Sequence, residues 1–249
     1  MGLFTDAIMK GRQPEPEESL SPATLDRAEV PTANNLAIAV ELESALDMLW
    51  ARLRTRGANS ALGHAFSITH WEPQEGATTL ATALAHRAAQ VDPTCTFCLA
   101  DFDLFGAGLS FVTGLEAELG ISNILLEQAG LDDAICSTSL SNLKILPAGF
   151  PTVGRHATQM YEHCQELCTI LSERFRYVLL DLPCLRVHPT FAFWTSELTE
   201  AVLVVRAGQA RRPAVIKALS TLQLMRLSVA GLVLNSREYH VPKWLYRRT

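Results

Sequence analysis

Phe66-Ser-Ile-Thr-His-Trp-Glu-Pro-Gln-Glu-Gly-Ala-Thr-Thr79 is a short apolar strand that runs into a Pro/Gly turn and then a Thr pair. The Ala-rich run Leu80 to Gln90 that follows reads as a helix. Strand, tight loop and helix in that order are the layout of a phosphate-cradling loop. Such a loop works through small residues that let backbone N–H groups approach phosphate, a Lys that pairs with the β and γ oxygens, and a Ser/Thr hydroxyl on Mg²⁺. Gly76 and Thr78 meet two of these needs, with Thr79 beside them. Ala77 stands where the Lys belongs, and Trp71 where the first Gly or Ala belongs. The rest of the chain has to decide between a working nucleotide site and the remnant of one.

On either side of this stretch, strands and helices alternate. Residues 35–56 place Leu36, Val40, Leu46, Leu49, Trp50 and Leu53 mostly at three- and four-residue steps, which predicts an amphipathic helix. Strands are expected at Ala65–Thr69, Cys95–Ala100, Leu143–Leu146, Tyr177–Leu180, Ala201–Val205 and Ala230–Leu234, and helices at Thr78–Gln90, Ala157–Arg174 and Arg212–Leu224. Several strands are apolar on both faces, as parallel strands covered by helices must be. The pattern gives an α/β fold with a doubly wound, mostly parallel sheet. Polar residues fall at the C-terminal ends of strands: Thr69, Asp101, Asp181 and Asn235. The ligand crevice of such a sheet lies outside that edge, so these four belong to one site. Residues 1–34, with Pro14, Pro16, Pro22 and Pro31 among Glu, Ser and Thr, read as a linker-like or disordered arm. Residues 35–236 form the domain, and 237–249 a basic, aromatic tail.

The composition excludes several functions. A chain of 249 residues with 48% hydrophobic and 19% charged residues is long enough for a large core. Its net charge of −5 gives no general attraction for nucleic acid. No apolar run reaches the length of a membrane span, and Met1–Lys10 lacks the form of a signal peptide, so a cytoplasmic protein is expected. The six cysteines have no metal-site spacing. Cys95 and Cys98 share a strand-like run with opposite facing, and Cys164 and Cys168 stand one helical turn apart without a second pair. Buried free thiols are expected.

Taken together, residues 36–249 resemble the bacterial tyrosine kinases (BY-kinases) of capsule and exopolysaccharide systems, within the MinD/ParA-like deviant P-loop class. The likeness runs through Thr69–Thr79, which sits at the family's Walker A loop of the type T-S-x-x-P-G-E-G-K-S-T. It continues through Leu99–Phe105, which sits at a second Walker motif of two Asp and an Arg. Gly120–Leu125, Leu131–Ile135, Asn142–Gly149 and Phe175–Pro183 follow, the last similar to a Walker B strand. Val204–Gly208 with Arg211 and Arg212, and Gly231–Asn235, complete the set. The resemblance implies a P-loop NTPase fold and ATP or ADP with Mg²⁺. It places Gly76, Thr78, Thr79 and Asn235 at the nucleotide, and Thr78, Asp101 and Asp181 at the metal. Asp101, Asp103 and Asp181 become the vestigial catalytic acids, and Tyr239 and Tyr246 the remnant of a phosphorylated tail. It implies as partner the cytoplasmic segment of a membrane polysaccharide co-polymerase, with self-association as a further option, and recruitment of the chain to the inner membrane face.

The departures shape the expectation. Ala77 replaces the Lys, Trp71 and Gln74 replace small residues, and Phe105 replaces the Arg after the Asp pair. Losing a charge-assisted hydrogen bond costs about 1.5 to 3 kcal/mol, or roughly 10- to 100-fold in affinity. The expectation is a degenerate, pseudokinase-like protein that regulates polysaccharide polymerisation or export through its partner. The alternative is an active autokinase or ATPase with a displaced cation drawn from Lys144, Arg155, Arg206 or a neighbouring subunit. Two readings stay open for the acids: Asp101 and Asp103 as turn caps or site residues, and Asp181 as a tie to the Thr78 loop or a site residue. Asn235 is likewise a nucleotide contact or a turn former. His70 reads as an unpaired surface side chain, and the tail, with Trp244 and four Lys/Arg, suits an anionic membrane surface as well as it suits solvent.

Overall fold

The computed structural model describes residues 40–56, 64–106, 108–115, 119–149, 157–196 and 198–236. The chain opens on α1 (Val40–Arg56), β1 (His64–His70), α2 (Ala77–Val91), β2 (Phe97–Asp101) and α3 (Gly108–Thr113). Then come α4 (Ile121–Leu125), α5 (Leu131–Ala134), β3 (Cys136–Ser137), β4 (Leu143–Leu146), α6 (Ala157–Arg174) and β5 (Tyr177–Asp181). It closes on α7 (Thr190–Trp194), β6 (Thr199–Arg206), α8 (Arg212–Leu224) and β7 (Ser228–Asn235). The seven strands form one sheet in the order β3-β4-β2-β5-β1-β6-β7. All neighbours are parallel except the short β3, which runs antiparallel on β4.

From β1 the chain moves to one side for β2 and β4, returns to β5, and crosses to β6 and β7 on the other side. The central strands carry helices on both faces, so every residue of β2 and β5 is buried. One hydrophobic cluster joins alternate strand residues such as Cys98, Val178 and Leu203 to α6 and α8. The other joins Phe66, Leu99 and Leu179 to α1 and α2. Leu46, Trp50 and Leu53 are the buried stripe of α1, at the spacing the sequence predicts. Trp50 stands edge-on to Tyr177 and Phe97, with ring centroids 4.6 and 5.4 Å away. Its Nε1 donates to Asp92 at 2.6 Å, and Arg54 reaches the same carboxylate at 2.7 Å.

Sheet, helices and order agree with the sequence reading to within a few residues at each end. The expected start of the first helix at 35 and the termini 1–34 and 237–249, with Tyr239, Tyr246 and the tail cations, lie outside the described residues. One correction concerns a cysteine: Cys95 lies ahead of β2, which begins at Phe97. Cys164 and Cys168, on α6, are buried in the core as expected. All six thiols are free. No helix among the described residues is long and apolar enough to cross a membrane.

Candidate functional site

The loop between β1 and α2 turns on two residues with positive φ, Gln74 at 66° and Gly76 at 87°. Gly76 is required twice over. Its backbone lies in the left-handed region, and a Cβ there would stand 2.3 Å from the Asn235 amide nitrogen. Gln74 holds a glycine conformation with a side chain, which costs about 1 kcal/mol. Glu75, 5% exposed, is the strut of the loop. Its Oε2 accepts the N–H groups of Trp71 and Glu72 at 2.9 Å, and its Oε1 accepts the Arg206 N–H at 3.3 Å. Asn235 Nδ2 donates to the Glu75 carbonyl at 2.9 Å, and its Oδ1 accepts the Ser236 N–H. Asn235 therefore holds the loop from the end of β7 and does not line the cavity beside it.

The loop following β5 is tied to the same structure. Thr69 Oγ1 donates to the Pro183 carbonyl, Leu185 N to the His70 carbonyl, and Cys184 Sγ to the Trp71 carbonyl at 2.9 Å. Arg186 pairs with Glu72 at 3.0 Å. Between these loops and α3 lies a cavity of about 530 Å³. Gly76, Ala77, Thr78, Thr79 and Asp103 line it, with Gln74, Phe105, His70 and His188 around them. α2 begins on this cavity with no side-chain cap and no acid in its first turn. Its first N–H groups and the positive end of its dipole are therefore available to an anion.

Asp101 and Asp181 are register partners at the ends of β2 and β5, and both are buried. Asp101 Oδ1 accepts the Asp103 N–H at 3.0 Å. Among the described residues, Asp101 Oδ2 and both oxygens of Asp181 have no hydrogen-bond partner. Burial pushes the Asp101 carboxyl up to about 7. Asp181 is raised well above the ordinary carboxylate range, first by burial and then by Asp101, while the Thr78 hydroxyl works the other way. Orphaned, paired carboxylates this deep are costly unless a proton or a cation sits between them. With the Thr78 hydroxyl they are the right chemistry for Mg²⁺, a hard ion that takes one or two carboxylates and keeps water or phosphate for its other positions. Among the described residues no three His, Cys, Asp or Glu form a metal cluster. Asp103 turns back instead: its Oδ1 accepts the Gly106 N–H at 3.1 Å, which caps the turn.

Ala77 is 2% exposed, and among the described residues no Lys or Arg lines the cavity. Lys144 donates to Ser137 out on β4, Arg206 does not line the cavity, and Arg155 lies outside the described residues. Trp71 does not fill the loop; its side chain packs against the core cluster under α6. Phe105 stacks on His188 with centroids 4.2 Å apart and is half exposed at the mouth. His70 is not a surface residue. It lines the cavity, its Nδ1 is buried without a partner among the described residues, and burial lowers its pKa, against Glu75 and Asp103. His188 and Cys184 are among the lining residues that the sequence alone did not assign to the site; they follow the Asp181-Leu-Pro segment, whose fold brings them over the loop.

No protein-family model matches the chain. It is 26% identical over 170 residues to the tyrosine-protein kinase CpsD of Streptococcus agalactiae, covering 68% of this chain and 73% of that one. The CpsD of Streptococcus pneumoniae serotype 4 is 25% identical over 179 residues, 72% and 78% of the two chains. Among solved structures, the kinase domain of Escherichia coli tyrosine kinase ETK superposes with a TM-score of 0.69 at 18% identity, over 81% of this chain and 79% of that one. The MinD protein of Pyrococcus horikoshii OT3, complexed with Mg-ADP, gives 0.56 at 23% identity, over 74% and 76%. The order of blocks in the sequence, the sheet order and these likenesses agree: the chain is similar to the tyrosine-protein kinases named CpsD and shares the fold of the ETK kinase domain and of MinD.

Proposed function

We propose that the chain is a pseudokinase-like member of its family, which acts in capsule or exopolysaccharide production by binding a membrane polysaccharide co-polymerase rather than by phosphoryl transfer. The observation that carries this is the cavity without a Lys or Arg, with Ala77 buried at the position of the loop lysine. Phosphoryl transfer depends on fixed positive charge where negative charge develops. A Mg²⁺ held by Thr78, Asp101 and Asp181 would supply part of that charge when bound. The first turn of α2 would hold a phosphate through its N–H groups, and the β5–α7 loop would shield it from water. None of these residues supplies the mobile cation that follows charge onto the transferred group. The co-polymerase partner rests on the family likeness, since relatives bear the name tyrosine-protein kinase CpsD.

Calorimetry with ATP and ADP, with and without Mg²⁺, tests the reading together with a radiolabel assay for phosphate transfer. Weak, Mg²⁺-dependent binding or none, with no transfer, is expected. Transfer to Tyr239 or Tyr246 at rates comparable with a lysine-bearing relative overturns it. The orphaned acid pair favours the second reading in one respect only, that Mg²⁺–nucleotide binding outlives catalysis.

A further inference from the structure

The side of the sheet formed by α8 and β7 breaks the pattern of the rest. Over residues 206–236 only Ala218, Leu222 and Leu227 are buried. Ile216, Leu219 and Leu224 of α8 and Val229, Leu232 and Leu234 of β7 are all exposed. Leu232 pairs in register with Leu203 of β6, and Leu203 belongs to the cluster that α8 covers. Parallel partners point to the same face, so Leu232, and Leu234 two residues on, lie on the α8 side of the sheet.

The same segment is basic without relief. Residues 201–236 contain Arg206, Arg211, Arg212, Lys217 and Arg226 and no Asp or Glu, in a chain of net charge −5. None of the five has an ion pair among the described residues, whereas Arg54, Arg56, Arg87, Arg174 and Arg186 each hold a carboxylate. Arg212, Ile216 and Leu219 form one exposed stripe of α8, and Lys217 and Leu224 the next, opposite the buried Ala218 and Leu222. Arg211 and Arg212 also sit at the wrong end of the helix. The N-terminus is the positive pole, and its first turn holds no acid, so these charges oppose the helix's own stability. An external anion would offset that.

We propose that the α8–β7 face is a docking surface for an anionic lipid bilayer. The aliphatic side chains enter the headgroup boundary while the guanidinium and ammonium groups remain at the level of the lipid phosphates. Charge selects this occupant over the others. A twofold contact with a second copy would oppose two acid-free basic faces, and a nucleic-acid backbone gives the aliphatic side chains nothing to bury against.

The test is cosedimentation of the full chain with vesicles of phosphatidylglycerol and phosphatidylcholine, against vesicles of phosphatidylcholine alone, at about 0.1 M salt. Three variants are compared: Arg211→Gln/Arg212→Gln/Lys217→Gln, Leu224→Ser/Leu232→Ser, and the tail control Lys243→Gln/Arg247→Gln/Arg248→Gln. Circular dichroism confirms that each is folded. Binding to the anionic vesicles alone is expected, about 100-fold weaker in the face-charge variant, weaker also in the leucine variant, and little changed in the tail control. Equal binding to neutral vesicles, or loss in the tail control alone, overturns the proposal. So does the absence of binding, as would follow if the chain's own acidic segment Glu15–Glu29 filled the face. A dimer that the leucine variant abolishes, without lipid binding, assigns the face to a second copy and overturns it too.

Discussion

Ala77 is the residue on which the chemistry turns. It lines the cavity and begins α2, so a longer side chain there has an outlet into open volume. Ala77→Lys is expected to tighten Mg²⁺–ATP binding by about 10- to 100-fold, measured by calorimetry, because it restores one charge-assisted contact. An unchanged affinity would mean that the loop itself, through Gln74, no longer admits the phosphates. Gln74→Gly separates these effects: it removes a side chain from the left-handed region and is expected to raise unfolding stability by about 1 kcal/mol in urea titrations. Asp101 and Asp181 set a pH dependence. Both carboxyls are raised, Asp101 from 3.8 to about 7, so the folded state holds protons that the unfolded state releases above pH 4. The stability this confers is full below the unfolded value and is lost as pH rises through the folded one. The stability of the metal-free protein, followed through its melting temperature, is therefore expected to fall between about pH 4 and 7 through Asp101, by at most about 1.4 kcal/mol per pH unit. Added Mg²⁺ should recover part of it at pH 8, and Asp181→Asn should weaken the recovery while the slope that Asp101 contributes remains.

At the scale of elements, two carboxylates organise the contact of α1 with α2: Asp47 of α1, which receives Arg87 of α2 at 2.6 and 2.8 Å, and Asp92. Asp92 follows the last turn of α2 and receives the Trp50 indole N–H and the Arg54 guanidinium. Trp50 in turn fills the space between Phe97 and Tyr177. Asp92→Ala leaves a buried indole donor unpaired and is expected to cost about 1 to 3 kcal/mol, read from the shift in urea midpoint. Arg54→Ala is expected to cost much less, because its side chain is half exposed and water replaces the pair. The two variants together distinguish the hydrogen bond to the tryptophan from the ion pair beside it. The edge at β7 behaves differently: it carries an extra residue, Ala230, where its register with β6 shifts between Ala201 and Val202, and Leu232 and Leu234 are exposed.

At the scale of the molecule, the two apolar clusters share the same strands. β1 gives Ala65 to one and Phe66 and Ile68 to the other, and β5 gives Val178 and Leu179 to opposite sides. Neither face can lose its helices without exposing the sheet that the other face rests on. Urea unfolding followed by tryptophan fluorescence and by far-UV circular dichroism is therefore expected to give coincident transitions. Separate midpoints would show that the α1–α2 layer leaves before the sheet.

The sequence by itself determined the fold class, the succession of strands and helices along the chain, and the presence of Ala77 in the loop before α2. These are legible because alternating apolar runs, a Pro/Gly turn and the identity of residue 77 are local properties of the chain. It left Asp101, Asp103 and Asn235 each between two roles, since an Asp or Asn after a strand is also a common cap or turn residue. Tertiary structure gives each its neighbours. Asp103 caps its own turn, Asn235 donates to the Glu75 carbonyl from 160 residues away, and among the described residues Asp101 keeps an unpartnered oxygen beside Asp181. It also decided where His70 and Trp71 sit, what Glu75 holds, and that among the described residues no Arg or Lys lines the cavity. The reason is physical: which hydrogen bonds a buried polar group makes depends on strands brought together by the sheet, and adjacent positions in space carry no trace in adjacent positions along the chain.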